Sequence, residues 1–353
     1  MGDRCMKKLK VGYFSLSPNL SHPGDRRRVV FWAHLRGHEL IINPTEQVDV
    51  VLVSENADMQ SVTKNSRGTP IVLDLIDGYL AKEPLLKDYA RGLSKVIAGQ
   101  LHGVPKRFTK YISESCHQAD AVICSTPEQG LTIKNYCSNV HIILDSHDEL
   151  PLIPFQLNRN RNSYQIMWEG MPYTLAGIGQ ARSIFTKAST ASPPILKVVS
   201  DLHYFRLLNK FGEMKTAKLL AREIESSMTS ETLVPWSIDS LISVARQSSL
   251  AIIPINLSSP LQFLKPENRL LIMWRLGLPT LTSATPAYSR VAMQVNVDVV
   301  CRNSSDWWNK SNSLLNNAEL SAEVVAQGQS YLKDFHNTDL LLEKWDAAIG
   351  SVT

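Results

Sequence analysis

Three side chains within one helical turn can hold an anion together. Lys265, Asn268 and Arg269 cluster at a helix start inside the run Leu250–Arg290, LAIIPINLSSPLQFLKPENRLLIMWRLGLPTLTSATPAYSR. The free N–H groups and dipole of a helix start already favour negative charge. Two cations and an amide there make a seat for a diphosphate; the plainer alternative is a basic cap on a surface helix. A second cluster, HPGDRRR, sets Gly24, Asp25, Arg26, Arg27 and Arg28 in a row after an early strand. It reads either as Asp25 capping a helix with solvated arginines, or as an acid and cations at the mouth of a cleft.

Two common phosphate chemistries lack their motifs. A dinucleotide fold wants G-x-G-x-x-G after its first strand, and the loop SLSPNLSHPGDRRR offers Gly24 alone. The later string GIGQA has Gly177 and Gly179 but Arg182 at the place of the third glycine. No Walker sequence is present. The five cysteines, Cys5, Cys116, Cys124, Cys137 and Cys301, include no C-x-x-C pair. That pattern points away from a disulfide scaffold or zinc site and towards a reducing, cytoplasmic setting.

These groups need elements to hold them. Leu9–Phe14, Glu39–Ile42, Val48–Ser54, Pro70–Leu75, Ala119–Ser125 and Val140–Leu144 read as strands. Helices are expected over about 26–36, 85–102 and 105–117, and after an N-cap at Thr126 with Pro127 at N1. A Pro-, Asn- and Arg-rich linker spans about 151–162. The pattern restarts with strands at Tyr164–Trp168, Pro194–Ser200 and near Thr232–Val234, and helices at Lys215–Ser226 and Ile238–Arg246. Leu250–Ile255 and Leu278–Thr282 follow as strands, with a helix between them from Pro266 to Leu276, closed by Gly277. Pro286 opens a loop, Val297–Cys301 is a late strand, and Ala318–Ile349 is helical. Strands alternating with helices predict an α/β protein with two Rossmann-like, doubly wound parallel sheets.

The 353 residues suit two domains: 1–155, 163–335, and a last helix over 336–353. The net charge of +4 is mild and comes without a dense basic stripe, which argues against nucleic acid. The N-terminal MGDRCMKKLKVGYF has no apolar core, and Met6 stands where myristoylation wants Ser or Thr. No apolar run reaches the roughly 18 residues needed to span a bilayer. Lys82, Lys87, Arg91, Lys95, Lys106, Arg107 and Lys110 form a basic region, read as a solvated face or as a peripheral membrane-docking face.

The segment KPENRLLIMWRLGLPTLTSATPAY resembles the donor site of GT-B glycosyltransferases, especially the family-4-like group. Lys265, Asn268, Arg269, Gly277, Pro279 and Pro286 stand at the matching positions, over about forty residues. The resemblance implies two Rossmann-like domains facing a cleft, the first binding the acceptor and the second the donor, with a C-terminal helix crossing back to the first domain. It implies sugar transfer from a nucleotide-diphosphate sugar to a hydroxyl on a carbohydrate or lipid-linked acceptor, in cell-surface polysaccharide or glycolipid synthesis. The nucleotide-sugar would be a co-substrate, with no further cofactor and no metal. The chain departs from the pattern at one point. Many retaining members carry two glutamates eight residues apart here, where this chain has Leu264 and Ile272, with Glu267 as the nearby carboxylate. A non-catalytic nucleotide-sugar-binding subunit and a sugar-nucleotide epimerase therefore stay open as alternatives.

The resemblance extends to single residues. Glu169 and Gly170 in MWEG match a glycine turn that approaches the donor phosphates, where a side chain would clash. Trp236 and Ser237 fall where the family contacts base or ribose, and Trp236 can stack on a nucleobase or fill a core. Tyr288 lies in the loop after the last donor strand and faces the sugar. Ser200, Asp201 and His203 are weaker candidates. Gly24, Arg26 and Arg28 belong to a loop used near the donor phosphates or the acceptor. Glycosyl transfer needs a base for the acceptor hydroxyl and cations for the leaving diphosphate. Asp77 and Asp25 are the first choices for the base; Asp74, Asp145, His147 and Asp148 are alternatives, each equally readable as a turn residue.

Overall fold

A computed structural model describes residues 7–55, 57–66, 68–157, 164–187, 194–207, 211–224 and 231–353. Residues 1–6 (with Cys5 and Met6), linker residues 158–163 and the end of the helix expected to reach Ser226 lie outside these. The chain forms two compact units, Met1–Ser146 with His336–Thr353, and His147–Phe335.

Unit 1 is built on strands β1 (Lys10–Phe14), β2 (Glu39–Ile42), β3 (Val50–Ser54), β4 (Ile71–Leu75), β5 (Ala121–Cys124) and β6 (Val140–Ile142). All pair in parallel, in the order β2-β1-β3-β4-β5-β6. Every residue of VVLVS and IVLDL is buried, as expected of strands covered on both faces. The helices are α1 (Val30–Leu35), α2 (Met59–Asn65), α3 (Leu85–Ile97), α4 (Phe108–Gln118) and α5 (Pro127–Ile133). Thr126 caps α5 in a capping box with Gln129. The C-terminal helix Thr338–Gly350 belongs to this unit, placing Leu341, Leu342, Trp345 and Ile349 in one core with Val11, Trp32, Val50 and Val72. Trp32 stacks on Trp345 at 5.7 Å and donates to Asp346 at 2.9 Å.

Unit 2 repeats the plan with β7 (Gln165–Glu169), β8 (Ile195–Ser200), β9 (His203–Leu207), β10 (Phe211–Lys215), β11 (Glu231–Pro235), β12 (Leu250–Ile253), β13 (Thr280–Ser283) and β14 (Val300–Cys301). Six of these make a parallel sheet, β11-β8-β7-β12-β13-β14, while β9 and β10 form a separate antiparallel hairpin. Its helices are α6 (Arg182–Thr186), α7 (Thr216–Glu223), α8 (Ile238–Gln247), α9 (Pro260–Phe263), α10 (Asn268–Arg275), α11 (Pro286–Gln294), α12 (Ser304–Asn316) and α13 (Ala318–Phe335).

Several expectations change. Pro266 precedes the N-cap Glu267 of α10 rather than opening the helix, because a separate short helix, α9, occupies the preceding stretch. Pro286 does not open a loop: it is the first residue of α11, capped by Thr285, whose hydroxyl accepts from the Tyr288 amide at 3.3 Å. The tail is two helices, interrupted where Asn337 caps the second through the Leu340 amide. Residues 25–29 wind as a π-turn before α1. Gly277 closes α10 as expected, at φ +77°, with its amide on Trp274 O and that of Leu278 on Met273 O.

Candidate functional site

In unit 2 the ends of β7, β8 and β11 and the start of α10 carry most of the expected donor residues. Glu169 ends β7, and its Oε1 accepts the Trp236 indole N–H at 3.1 Å. Its carbonyl accepts Arg269 Nη1 at 3.1 Å. At Gly170, φ is +156° and an added Cβ would stand 2.9 Å from both Arg269 Nη1 and Thr174 Oγ1. The glycine turn thus makes room for a guanidinium. Ser200 donates to Gly170 O at 2.7 Å and fixes that turn. Asp201 and His203 lead from β8 into the hairpin instead.

Asn268 and Arg269 are the first two residues of α10. Arg269 Nη2 and Asn268 Oδ1 are buried with no hydrogen-bond partner among the described residues. Buried polar atoms left unmatched cost stability, so such a pair calls for a ligand or water. One is a cationic donor and the other a neutral acceptor, which matches a phosphate oxygen beside a hydroxyl. Lys265 Nζ lies 5.6 Å from the Tyr173 ring centroid.

Three expected ligand residues take other positions. Tyr288 is buried in α11, not in a sugar-facing loop, and its hydroxyl meets the Arg269 guanidinium. Burial raises the Tyr288 pKa, with Arg269 and Lys265 opposing. It therefore positions Arg269. Glu267 is buried and takes Arg290 Nη2 at 2.9 Å. Ser237 caps α8 through the Ser240 amide at 3.0 Å. Trp236 is half-buried.

In unit 1 the loop after β1 is drawn inward. Asp25 is fully buried and accepts from the Tyr13 hydroxyl (2.6 Å), the Leu16 amide (2.8 Å), and the amide and hydroxyl of Ser17 (3.0 and 2.6 Å). A carboxylate held by four donors shapes a loop and has no lone pair spare for an acceptor proton. Gly24 sits where a Cβ would meet Ile76 Cδ1 at 2.3 Å. Arg28 is fully buried too: Nε and Nη2 grip Asp74 at 2.8 and 2.6 Å, and Nη1 reaches Ile143 O at 2.7 Å and Asp145 at 3.1 Å. Burial opposes the Arg28 charge, but Asp74 and Asp145 outweigh it and raise its pKa. Burial pushes the Asp145 carboxyl up despite Arg28 and Arg27. Arg28, Asp74 and Asp145 are thus an internal bolt between β4 and the loop after β6. Arg26 stays half-buried beside His22, as does Asp77 just past β4.

Two groups of this sheet edge escaped the sequence reading. His22 accepts the Gly24 amide on Nδ1 at 3.0 Å, and burial lowers its pKa against Asp25, Asp145 and Asp77. Glu55 directly follows β3. Its Oε1 accepts from the Tyr79 hydroxyl at 2.8 Å, and Oε2 is buried with no hydrogen-bond partner among the described residues. A carboxylate just past a buried strand was the available signal. Burial pushes Glu55 up to about 7, against Tyr79 and Lys95 and with the help of Asp77.

The sign of the resulting pH effect follows. Folded Glu55 keeps a proton that the unfolded chain releases above about 4.5, so stability falls as pH rises from there to about 7. The loss is at most about 3 kcal/mol. The difference in melting between wild type and Glu55→Gln, followed from pH 4 to 8, isolates it (about four units). Wild type should weaken relative to the variant as pH rises; a constant difference would remove the buried carboxyl.

The thiols of Cys116, Cys124 and Cys301 are buried and pushed up to about 12, so none is a ready nucleophile. Among the described residues no group of three His, Cys, Asp or Glu could hold a metal ion.

No protein-family model matches the chain, and no curated protein matches its sequence. Solved structures do match its fold. TarM aligns at TM-score 0.59 and 12% identity, over 85% of this chain and 54% of TarM. A variant of S. aureus TarM in complex with fondaparinux, α-GlcNAc-glycerol and UDP aligns at 0.54 and 13%, over 85% and 56%. WaaG, a glycosyltransferase involved in lipopolysaccharide biosynthesis, aligns at 0.53 and 12%, over 96% of this chain and 98% of WaaG. The chain spans about half the length of the TarM chains it matches. With its two six-stranded parallel sheets, it has the GT-B glycosyltransferase fold.

Proposed function

We propose that this protein transfers a sugar from a nucleotide-diphosphate sugar to a hydroxyl of a carbohydrate or lipid-linked acceptor in cell-surface polymer synthesis. The observation that carries this reading is the pair of unmatched buried atoms, Arg269 Nη2 and Asn268 Oδ1, at the start of α10 beside the Gly170 turn. Arg269 and Lys265 would take the diphosphate with the amides of α10, and Asn268 a donor hydroxyl. Trp236, its indole N–H fixed on Glu169, would offer its ring to the base. As the bond to the diphosphate breaks, negative charge grows on the leaving oxygen, and cations held in place lower that barrier without reorganising. Asp77 would take the acceptor proton; Asp25 and Arg28 shape the edge that holds it. The neighbouring complex containing UDP and a sugar–glycerol supports this ligand class by fold likeness.

The test is release of nucleoside diphosphate from a panel of nucleotide-sugars, with and without membrane-extracted acceptors. Acceptor-dependent release is expected for one donor. Asp77→Asn should lower kcat at least about 100-fold while leaving nucleotide affinity intact, the usual weight of a lost general base. Release untouched by Asp77→Asn would remove Asp77 from the chemistry; no release from any donor would contradict transfer.

A further inference from the structure

Helix α3 leaves its apolar side uncovered. Its inner side is fixed by two features. The Asp88 carboxylate accepts the Thr109 amide at 2.9 Å and the Thr109 hydroxyl at 2.5 Å. A Cβ at Gly92 would stand 1.9 Å from Lys106 O, so the helix is pressed against that loop. The outer side presents Leu85, Leu86, Tyr89, Leu93 and Ile97, with Leu86 88% and Ile97 72% exposed. At about 100° per residue these five span roughly 120° of arc, so they form one stripe. Scattered exposed leucines are ordinary; a continuous stripe marks an interaction surface.

Charge says which partner fits. Residues 82–110 hold seven lysines and arginines against two carboxylates, a net +5, while the whole chain carries +4. The remainder of the molecule is therefore close to neutral, and the chain's net positive charge lies in the segment that carries this stripe. Not all of it faces outward. Arg91 pairs with Glu83 at 3.0 Å and Lys95 turns towards the Phe108 ring at 5.7 Å, while Lys87, 3.4 Å from the same Glu83, keeps more than half of its side chain exposed. Lys82, Lys87, Arg107 and Lys110 remain exposed.

We propose that α3 lies in the plane of an anionic lipid bilayer and docks unit 1 on it. Leu85, Leu86, Leu93 and Ile97 enter the acyl boundary, and Lys82, Lys87, Arg107 and Lys110 meet the lipid phosphates. A second copy fits less well, because face-to-face contact would bring two +5 segments together. Among the described residues no helix is long and apolar enough to cross a membrane, so this attachment is peripheral. It stands whether or not the protein transfers sugar.

The test is co-sedimentation of the full chain with phosphatidylcholine vesicles, with and without phosphatidylglycerol, at low and high salt. Wild type should bind only the anionic vesicles, and salt should weaken binding. The double variant Leu86→Gln/Ile97→Gln should lower the partition about tenfold or more, with an unchanged melting curve because both side chains are exposed. Wild type ignoring anionic vesicles, or a variant that binds them as well, would overturn the proposal. So would a concentration-dependent dimer, lost in the variant, in a protein that does not bind vesicles.

Discussion

Arg28→Met should destabilise unit 1 by about 3–5 kcal/mol, the usual cost of stranding buried charge. Asp74 and Asp145 are both buried and both depend on this guanidinium. Methionine nearly fills the space but offers no donor, so the carboxylates and Ile143 O lose four hydrogen bonds together. The loss should depend on pH. In the variant Asp145, whose carboxyl burial already pushes up, loses the opposing Arg28 and keeps a proton that the unfolded chain releases, so stability falls as pH rises and recovers towards acid. Amide exchange in β4 and β6, which sit beside the bolt, reads the change locally. Adding Asp74→Asn and Asp145→Asn should restore part of it. A loss below about 1 kcal/mol would mean water reaches these groups.

Arg269→Ala should lower the affinity for nucleoside diphosphates by roughly 10–150-fold, the range for a charge-assisted hydrogen bond. Nucleoside affinity should change little, because Arg269 stands at the glycine turn and the Trp236 ring does not depend on it. Arg269→Lys keeps the charge but cannot hold Glu169 O and an anion with one planar fork, so it should rescue only part. Gly170→Ala should mimic the loss, since the added methyl would stand 2.9 Å from Arg269 Nη1 and displace it. Equal weakening of nucleoside and diphosphate would place Arg269 elsewhere in the pocket.

The alternation of elements was legible because buried parallel strands appear as short apolar runs between turns, as in VVLVS and IVLDL. The hairpin β9–β10 was not, since HYFRL and FGEMK carry no alternation and no tight-turn dipeptide. The string GIGQA looked like a failed dinucleotide motif. Its Gly177 answers to packing: a Cβ there would stand 2.4 Å from Pro254 O. The placement of Asn268 and Arg269 at one helix start was legible from the apolar run that follows them and from Gly277 closing it. Asp25 and Arg28 were expected at a cleft mouth, as a base and a donor contact; their internal partners, up to 117 residues away, come from the fold. Tyr288 was placed in a loop although Thr285 and Pro286 together signal a helix start.

The central claim, a nucleotide-diphosphate seat in unit 2, is tested most directly by melting the protein with a panel of nucleosides, nucleoside diphosphates and nucleotide-sugars, for wild type and Lys265→Ala. A ligand at a hundred times its Kd stabilises the folded state by about 2.7 kcal/mol. The expected result is stabilisation by the diphosphates and sugars of one nucleobase, little from nucleosides, and its loss in Lys265→Ala. No shift from any nucleoside diphosphate or nucleotide-sugar at millimolar concentration would contradict the claim.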